Sequence, residues 1–270
     1  MSASESSARA TGKVWIVGAG PGDPELLTVR AARLIAEADD LVVDALVAAE
    51  VYHGAPGRVI YVGKRAGRPR PSQRQIERVL VELAREGRRV VRLKGGDPAL
   101  FARLGEEIRA LEQASVPYEI VPGVSSLLAV PLAAGIPLTD REHADRVLVL
   151  TGHKRAEHGA EPPVELPAYD PCTTYVLFMA LGRLDRLVEA ALERGFPADL
   201  PAAVVSKASL PGERWVAAPL SSLAETVAAA ALEAPATVVL GRVTERLQPK
   251  INEAVARRPA SRVGLRRPAS

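Results

Sequence analysis

Three short segments combine glycine and proline with a carboxylate or hydroxyl, as ligand-binding loops do. Each follows a hydrophobic run. They are Gly18-Ala19-Gly20-Pro21-Gly22-Asp23-Pro24, Lys94-Gly95-Gly96-Asp97-Pro98, and Pro122-Gly123-Val124-Ser125-Ser126. Glycine lets backbone donors and acceptors approach a ligand because no Cβ stands between them. The first segment fails the dinucleotide pattern G-x-G-x-x-G, because Asp23 holds the last position, and no Walker lysine follows. One such segment is most simply a tight strand-to-helix turn. Three at successive strand ends would line one crevice, since ligands of open α/β sheets bind beyond the carboxyl ends of the strands.

The flanking sequence supplies elements that would present these loops. Short β-branched or aliphatic runs predict strands over 14–17, 41–43, 59–62, 89–93 and 118–121, then over 147–151, 174–179, 202–206 and 237–241. Between them lie helical patterns. Asp23 and Pro24 read as N-cap and first residue of a helix carrying Leu26, Leu27, Arg30 and Leu34. Ser72 with Gln75 reads as a capping box ahead of the stripe Ile76, Val79, Leu80 and Leu83, with Gly87 as the stop. Further helices are expected after the KGGDP and PGVSS loops, over 183–194 and over 221–232. The alternation predicts an α/β protein with largely parallel sheet. Gly/Pro punctuation over 135–140 places a boundary between domains at 13–137 and 138–249, with tails at 1–12 and 250–270. The stretch 155–171 reads as a long surface loop.

Composition narrows the class. A chain of 270 residues, 47% hydrophobic, can bury a large core, and its 4% aromatic content implies aliphatic packing. The longest apolar runs fall well short of the ~20 residues that span a bilayer, and the N-terminal segment lacks the apolar region of a secretory signal. Cys172 is the only cysteine, so neither an internal disulfide nor a cysteine-based metal site is available. A cytoplasmic location without membrane attachment is expected. Of the net charge of +3, residues 250–270 carry +5 and the rest −2, which argues against a nucleic-acid partner for the folded body.

The motifs become specific when taken together. GAGPGDPELLTVRA, VGKRAG, VVRLKGGDP, PGVSS and AAGIPLT, in this order, resemble the tetrapyrrole methylase family over about 12–248. VGKRAG, LKGGDP and AGIPLT resemble in particular those members that methylate uroporphyrinogen III. The resemblance implies a two-domain class III methyltransferase fold, S-adenosylmethionine in the interdomain cleft, no metal, a homodimer, and C-methylation of uroporphyrinogen III to precorrin-2. It places cofactor contacts at Pro21, Gly95, Gly96, Asp97, Leu100, Ser125, Ser126, Met179, Ala208, Ala236 and Thr237. It makes Asp44 a proton acceptor and Lys64 a proton donor. Arg65, Arg103 and Arg141 become partners for the substrate carboxylates, because guanidinium pairs orient as well as attract. Glu106, one helical turn from Arg103, would orient that arginine or meet a pyrrole N–H.

The sequence departs from the family pattern at several points. Val43 precedes Asp44 where tyrosine is usual. Ala102 and Leu104 replace glycines around Arg103, Asp140 replaces a histidine, and Ala208-Ser209 with Glu213 replaces a Gly-Thr and glutamine. Such changes fall on the substrate side. They keep open another tetrapyrrole of the precorrin type as substrate, or a cofactor-binding relative without turnover.

Overall fold

The computed structural model describes residues 12–63, 71–152 and 164–247, which form two compact units that divide at Ser125/Ser126. The first unit holds β1 (Lys13–Gly18), α1 (Val29–Glu37), β2 (Asp40–Val43), α2 (Ala49–Tyr52), β3 (Arg58–Tyr61), α3 (Gln73–Arg85), β4 (Arg89–Lys94), α4 (Leu104–Gln113) and β5 (Tyr118–Val121). The second holds α5 (Ser126–Ala133), β6 (Arg146–Thr151), β7 (Thr173–Phe178), α6 (Leu184–Glu193), β8 (Pro201–Ser206), β9 (Arg214–Pro219), α7 (Leu223–Ala229) and β10 (Ala236–Leu240).

The first sheet has the order β3-β2-β4-β1-β5, and every pair is parallel. Side chains alternate across a strand, so its two faces feed different cores. Val14, Ile16, Val42 and Val90 pack with Ile76 and Leu80 of α3 and Leu111 of α4. Val17, Leu41, Val43, Val91 and Leu93 pack with Ala31, Leu34 and Ile35 of α1. Burial on both faces explains why these strands read as continuous aliphatic runs. The expected capping box is present: Ser72 Oγ accepts from Gln75 N, and Gln75 Oε1 accepts from Ser72 N at 2.7 Å.

The helix expected from Asp23 starts later. Asp23 Oδ1 accepts from Glu25 N and closes only a short 3-10 turn at Pro24–Leu26. Thr28 Oγ1 then caps α1 through Ala31 N.

The second sheet corrects the expectation of largely parallel pairing. Its order is β6-β7-β10-β8-β9, and only β6 and β7 run parallel. The strand β9, absent from the sequence reading, pairs antiparallel with β8 after a short loop, so no helix separates them. One face packs Tyr175, Leu177, Val204 and Val238 against Leu187 of α6 and Leu223 of α7. The other packs Ala203, Val205 and Val239 against Val130 and Ala134. That second contact explains why the division precedes α5 rather than falling at 135–140: α5 belongs to the core of the second sheet. Among the described residues, no helix is long and apolar enough to cross a membrane. Residues 1–11 of the expected N-terminal tail 1–12, residues 248–270 with the whole expected C-terminal tail 250–270, and 153–163 of the expected surface loop lie outside the described residues.

Candidate active site

In the first unit the sheet order itself creates a crevice. The adjacent strands β1 and β4 send their following helices to opposite faces, α1 to one and α4 to the other. Ligands of open α/β sheets sit beyond strand ends at such a switch point. The loops there are Gly18–Asp23 and Lys94–Pro98, and a reciprocal bridge joins them: Gly96 N donates to Gly20 O at 2.7 Å and Gly20 N to Gly96 O at 3.2 Å.

The third loop packs directly on these two. A methyl group on Gly18 would lie 2.6 Å from Gly123 N, and one on Gly123 would run into Gly96 O. These glycines are therefore required by loop-on-loop contact before any ligand arrives. Asp97 completes the assembly: Oδ1 accepts from Ala99 N at 2.8 Å and Oδ2 from Gly123 N at 3.0 Å. Pro21, Gly95, Asp97, Leu100 and Ser125 remain partly exposed on this rim and Gly96 is buried beneath it, while Ser126, also partly exposed, opens the second unit.

Below the rim lies a charge cluster that motif reasoning missed. Arg92, Lys94 and Glu107 are essentially buried, and Asp44 at the end of β2 is partly exposed. Glu107 Oε1 accepts from Arg92 Nε at 3.1 Å and from Lys94 Nζ at 2.9 Å, while Arg92 Nη2 donates to Asp44 Oδ2 at 3.0 Å. Burial tends to raise the Asp44 pKa, but Arg92, the Ala45 N–H and Lys94 outweigh it and hold the carboxyl below its ordinary value. Burial, with Arg92 nearby, lowers the pKa of Lys94 despite Glu107. The available signal was the two cations Arg92 and Lys94 in a central strand, RVVRLK, that is buried after its exposed first residue Arg89.

Arg103 and Glu106 form the pair expected from their spacing, in two-pronged geometry: Nε to Oε1 at 2.7 Å and Nη2 to Oε2 at 2.6 Å. Arg103 has a left-handed backbone with φ of 56°, and Phe101 one of 50°. Ala102 and Leu104 do not, so the lost glycines fall where no left-handed conformation is needed. Leu104 also packs against the core beneath α4. Lys64 and Arg65 lie outside the described residues.

In the second unit, the remaining candidates gather at one end of the sheet. The register pairs Thr237 with Phe178 and Ala236 with Ser206, which puts Met179, Ala208, Ala236 and Thr237 at neighbouring strand ends. Met179 is half exposed and left-handed at φ 55°, and Lys207 and Ser209 are also left-handed. Strained non-glycine residues persist where surrounding structure over-determines them, and they concentrate at functional sites. Glu213 Oε2 accepts from Ser209 N at 2.8 Å and closes the loop after β8, a task a glutamine oxygen performs equally well.

Asp140 is held by partners other than the exposed Arg141 beside it. Its Oδ1 accepts from Glu142 N and meets His143 Nδ1 at 3.0 Å, and its Oδ2 accepts from Arg246 Nε at 2.8 Å. Asp140, Glu142 and His143 bring potential ligand atoms within 4.8 Å of one another. The Arg246 guanidinium supplies the positive charge that a metal ion would bring there.

A crevice of glycine-rich loops above a charge-balanced cluster fits a small organic cofactor. Comparison with known proteins gives it a class. The family profile of the tetrapyrrole (corrin/porphyrin) methylases matches residues 13–224. The chain is 45% identical over 243 residues to siroheme synthase 1 of Halorhodospira halophila, covering 89% of this chain but 49% of that protein. It spans about half the length of several siroheme synthases that it matches. It is 40% identical over 240 residues to the uroporphyrinogen-III C-methyltransferase of Methanocaldococcus jannaschii, covering 88% of this chain and 98% of that one. The crystal structure of the Thermus thermophilus uroporphyrin-III C-methyltransferase complexed with S-adenosylhomocysteine matches at a TM-score of 0.73 and 41% identity, over 87% of this chain and 99% of that chain. The chain belongs to the tetrapyrrole methylase family, and the two-sheet α/β architecture is the fold of that family.

Proposed function

We propose that the chain is an S-adenosylmethionine-dependent methyltransferase acting on pyrrole carbons of uroporphyrinogen III, with precorrin-2 as product. Its main support is the 40% identity across nearly the whole length of an archaeal protein of that activity.

The residues present fit the cofactor. A sulfonium is repelled by free cations. The two cations beside the KGGDP loop, Arg92 and Lys94, are turned inward and paired with Asp44 and Glu107. Adenosine takes backbone hydrogen bonds and apolar contacts, a role we assign in the first unit to Pro21, Gly95, Gly96, Asp97, Leu100 and Ser125, and in the second to Ser126, Met179, Ala208, Ala236 and Thr237. When bound, the cofactor supplies an electrophilic methyl group. The chain contributes alignment, which is worth several kcal/mol of a bimolecular barrier. Asp44 accepts the proton that the tetrapyrrole must lose after methyl transfer, and Lys64 donates. Arg65, Arg103 and Arg141 hold substrate carboxylates. Glu106 presents the Arg103 guanidinium at a fixed angle.

The conformations of Ala102 and Leu104 favour turnover over a merely cofactor-binding relative, since neither change strains the loop. A homodimer in the cytoplasm completes the reading. Oxygen-free incubation with methyl-labelled S-adenosylmethionine and uroporphyrinogen III tests it. Label should enter the extracted tetrapyrrole, and retention of all label in the cofactor would rule the activity out.

A further inference from the structure

We propose that Arg92 is a positioning residue for this chemistry: it fixes the Asp44 carboxylate at the end of β2, while Glu107 and Lys94 hold its guanidinium in place. The inference rests on the reading of Asp44 as proton acceptor.

Arg92 stands on the central strand β4, and Val43, the residue before Asp44, pairs with Leu93 in the neighbouring strand. From that place one guanidinium reaches two carboxylates on different elements, Asp44 beyond β2 at 3.0 Å and Glu107 on α4 at 3.1 Å. Its Nη1 also donates to Val42 O at 3.4 Å and Leu93 O at 3.3 Å. The Ala45 N–H holds the other oxygen, Oδ1, at 2.8 Å. Both Asp44 oxygens are therefore oriented, and each retains a further lone pair.

Burial separates the roles. The side chains of Arg92, Lys94 and Glu107 are 1%, 3% and 0% exposed, and that of Asp44 is 24% exposed. Asp44 is the one member of the cluster that a ligand can reach; the other three act through it. Stability alone is a weak reason for such a cluster, because apolar replacements of buried ion pairs are often neutral or stabilising. The cluster holds two carboxylates and two cations, so Asp44 stays ionised without leaving an uncompensated charge.

The consequence is a fixed counter-charge at the rim of the crevice. Every β-carbon of uroporphyrinogen III already bears a side chain, so the methylated carbon becomes quaternary and the macrocycle cationic. A bridging C–H or pyrrole N–H then loses its proton, the bond's electron pair returns to the ring system, and the proton passes to a carboxylate oxygen of Asp44, then to water. The charged groups bearing on Asp44, among the described residues, are Arg92 and Lys94 of β4, with Glu107 of α4 behind them. Removing the guanidinium contact raises the proton affinity of Asp44, so the acid limb of turnover should move to higher pH.

The test compares full-length wild type, Arg92→Lys, Asp44→Asn and the double variant, measuring turnover on uroporphyrinogen III against pH and the affinity for S-adenosylhomocysteine. Asp44→Asn should lower kcat by roughly 100- to 10,000-fold, the span of general acid–base catalysis. Arg92→Lys should lower kcat by about tenfold or more, shift the acid limb upward and leave cofactor affinity within about twofold. The double variant should be no slower than Asp44→Asn, because residues acting as one unit are not additive. Equal slowing by Arg92→Lys in both backgrounds, or an unmoved acid limb, would overturn the proposal. Should Arg92→Lys fail to fold, the wild-type Asp44 carboxyl carbon can be titrated by NMR, assigned with Asp44→Asn. A midpoint below the ordinary aspartate value supports the role of Arg92, and an ordinary or raised one refutes it. That titration reads the pair even if uroporphyrinogen III proves not to be the substrate, so the two failures are distinguishable.

Discussion

The carboxylate of Asp97, in the loop after β4, accepts a hydrogen bond from the Gly123 N–H in the loop after β5. One side chain thus ties two walls of the crevice, with a second bond to Ala99 N holding its own loop. Asp97→Ala should lower unfolding free energy by about 1.5–3 kcal/mol, the worth of a hydrogen bond to a charged group. Loss of the same organisation should weaken S-adenosylhomocysteine binding about ten- to a hundredfold. Urea denaturation and titration calorimetry read the two effects. A variant of unchanged stability would show that Asp97 does not tie the loops.

Gly123→Ala should be among the costliest single-methyl changes in the first unit, because the added carbon meets the Gly96 carbonyl and the Gly18 backbone. Overpacking against fixed backbone costs about 1–3 kcal/mol or more. Gly182→Ala is the control, since nothing lies within 4 Å of its added carbon. Equal melting temperatures for the two variants would contradict the tight stacking of the three loops.

Much of this arrangement was legible in the residues. The strands of the first sheet carry aliphatic runs because both faces are covered, and the capping box at Ser72 and Gln75 marks α3 by its own chemistry. Three small-residue loops pointed to one crevice, and the first sheet's order supplies it. Other features depended on tertiary pairing that no local pattern carries. β9 is stabilised by β8 rather than by its own periodicity. The assignment of α5 to the second unit depends on Val130 and Ala134 meeting Ala203 and Val205. The Arg92–Glu107 contact joins residues 15 positions apart, and the Arg92–Asp44 contact spans 48. The glycines invited a reading in terms of ligand approach, whereas Gly18 and Gly123 first serve each other.

Arg103→Ala should behave differently from Asp97→Ala. Its pair with Glu106 is solvent-exposed on Arg103's side, and exposed ion pairs contribute about 0–1 kcal/mol. Stability should scarcely change, and S-adenosylhomocysteine affinity should stay within about twofold, or ~0.4 kcal/mol. Turnover on the tetrapyrrole should fall. Cofactor binding weakened as much as by Asp97→Ala would mean that Arg103 faces the cofactor.

The Asp140 carboxyl is held below its ordinary value of 3.8, first by the Glu142 N–H, then by His143 and Arg246. A carboxyl depressed in the folded state stabilises fully above its unfolded pKa and loses that contribution as pH falls through its folded pKa. Wild type should therefore lose stability relative to Asp140→Asn as pH is lowered from about 5 to about 2. Urea midpoints across that range provide the measurement. Parallel curves for the two proteins would show that the carboxylate contributes nothing there.

Carbon methylation of uroporphyrinogen III can be read by NMR of the product formed from 13C-methyl S-adenosylmethionine without oxygen. New methyl signals bonded to ring carbons of the tetrapyrrole, absent with Asp44→Asn, are the predicted result. Tight S-adenosylhomocysteine binding with no carbon-bound methyl signal from wild type would contradict it.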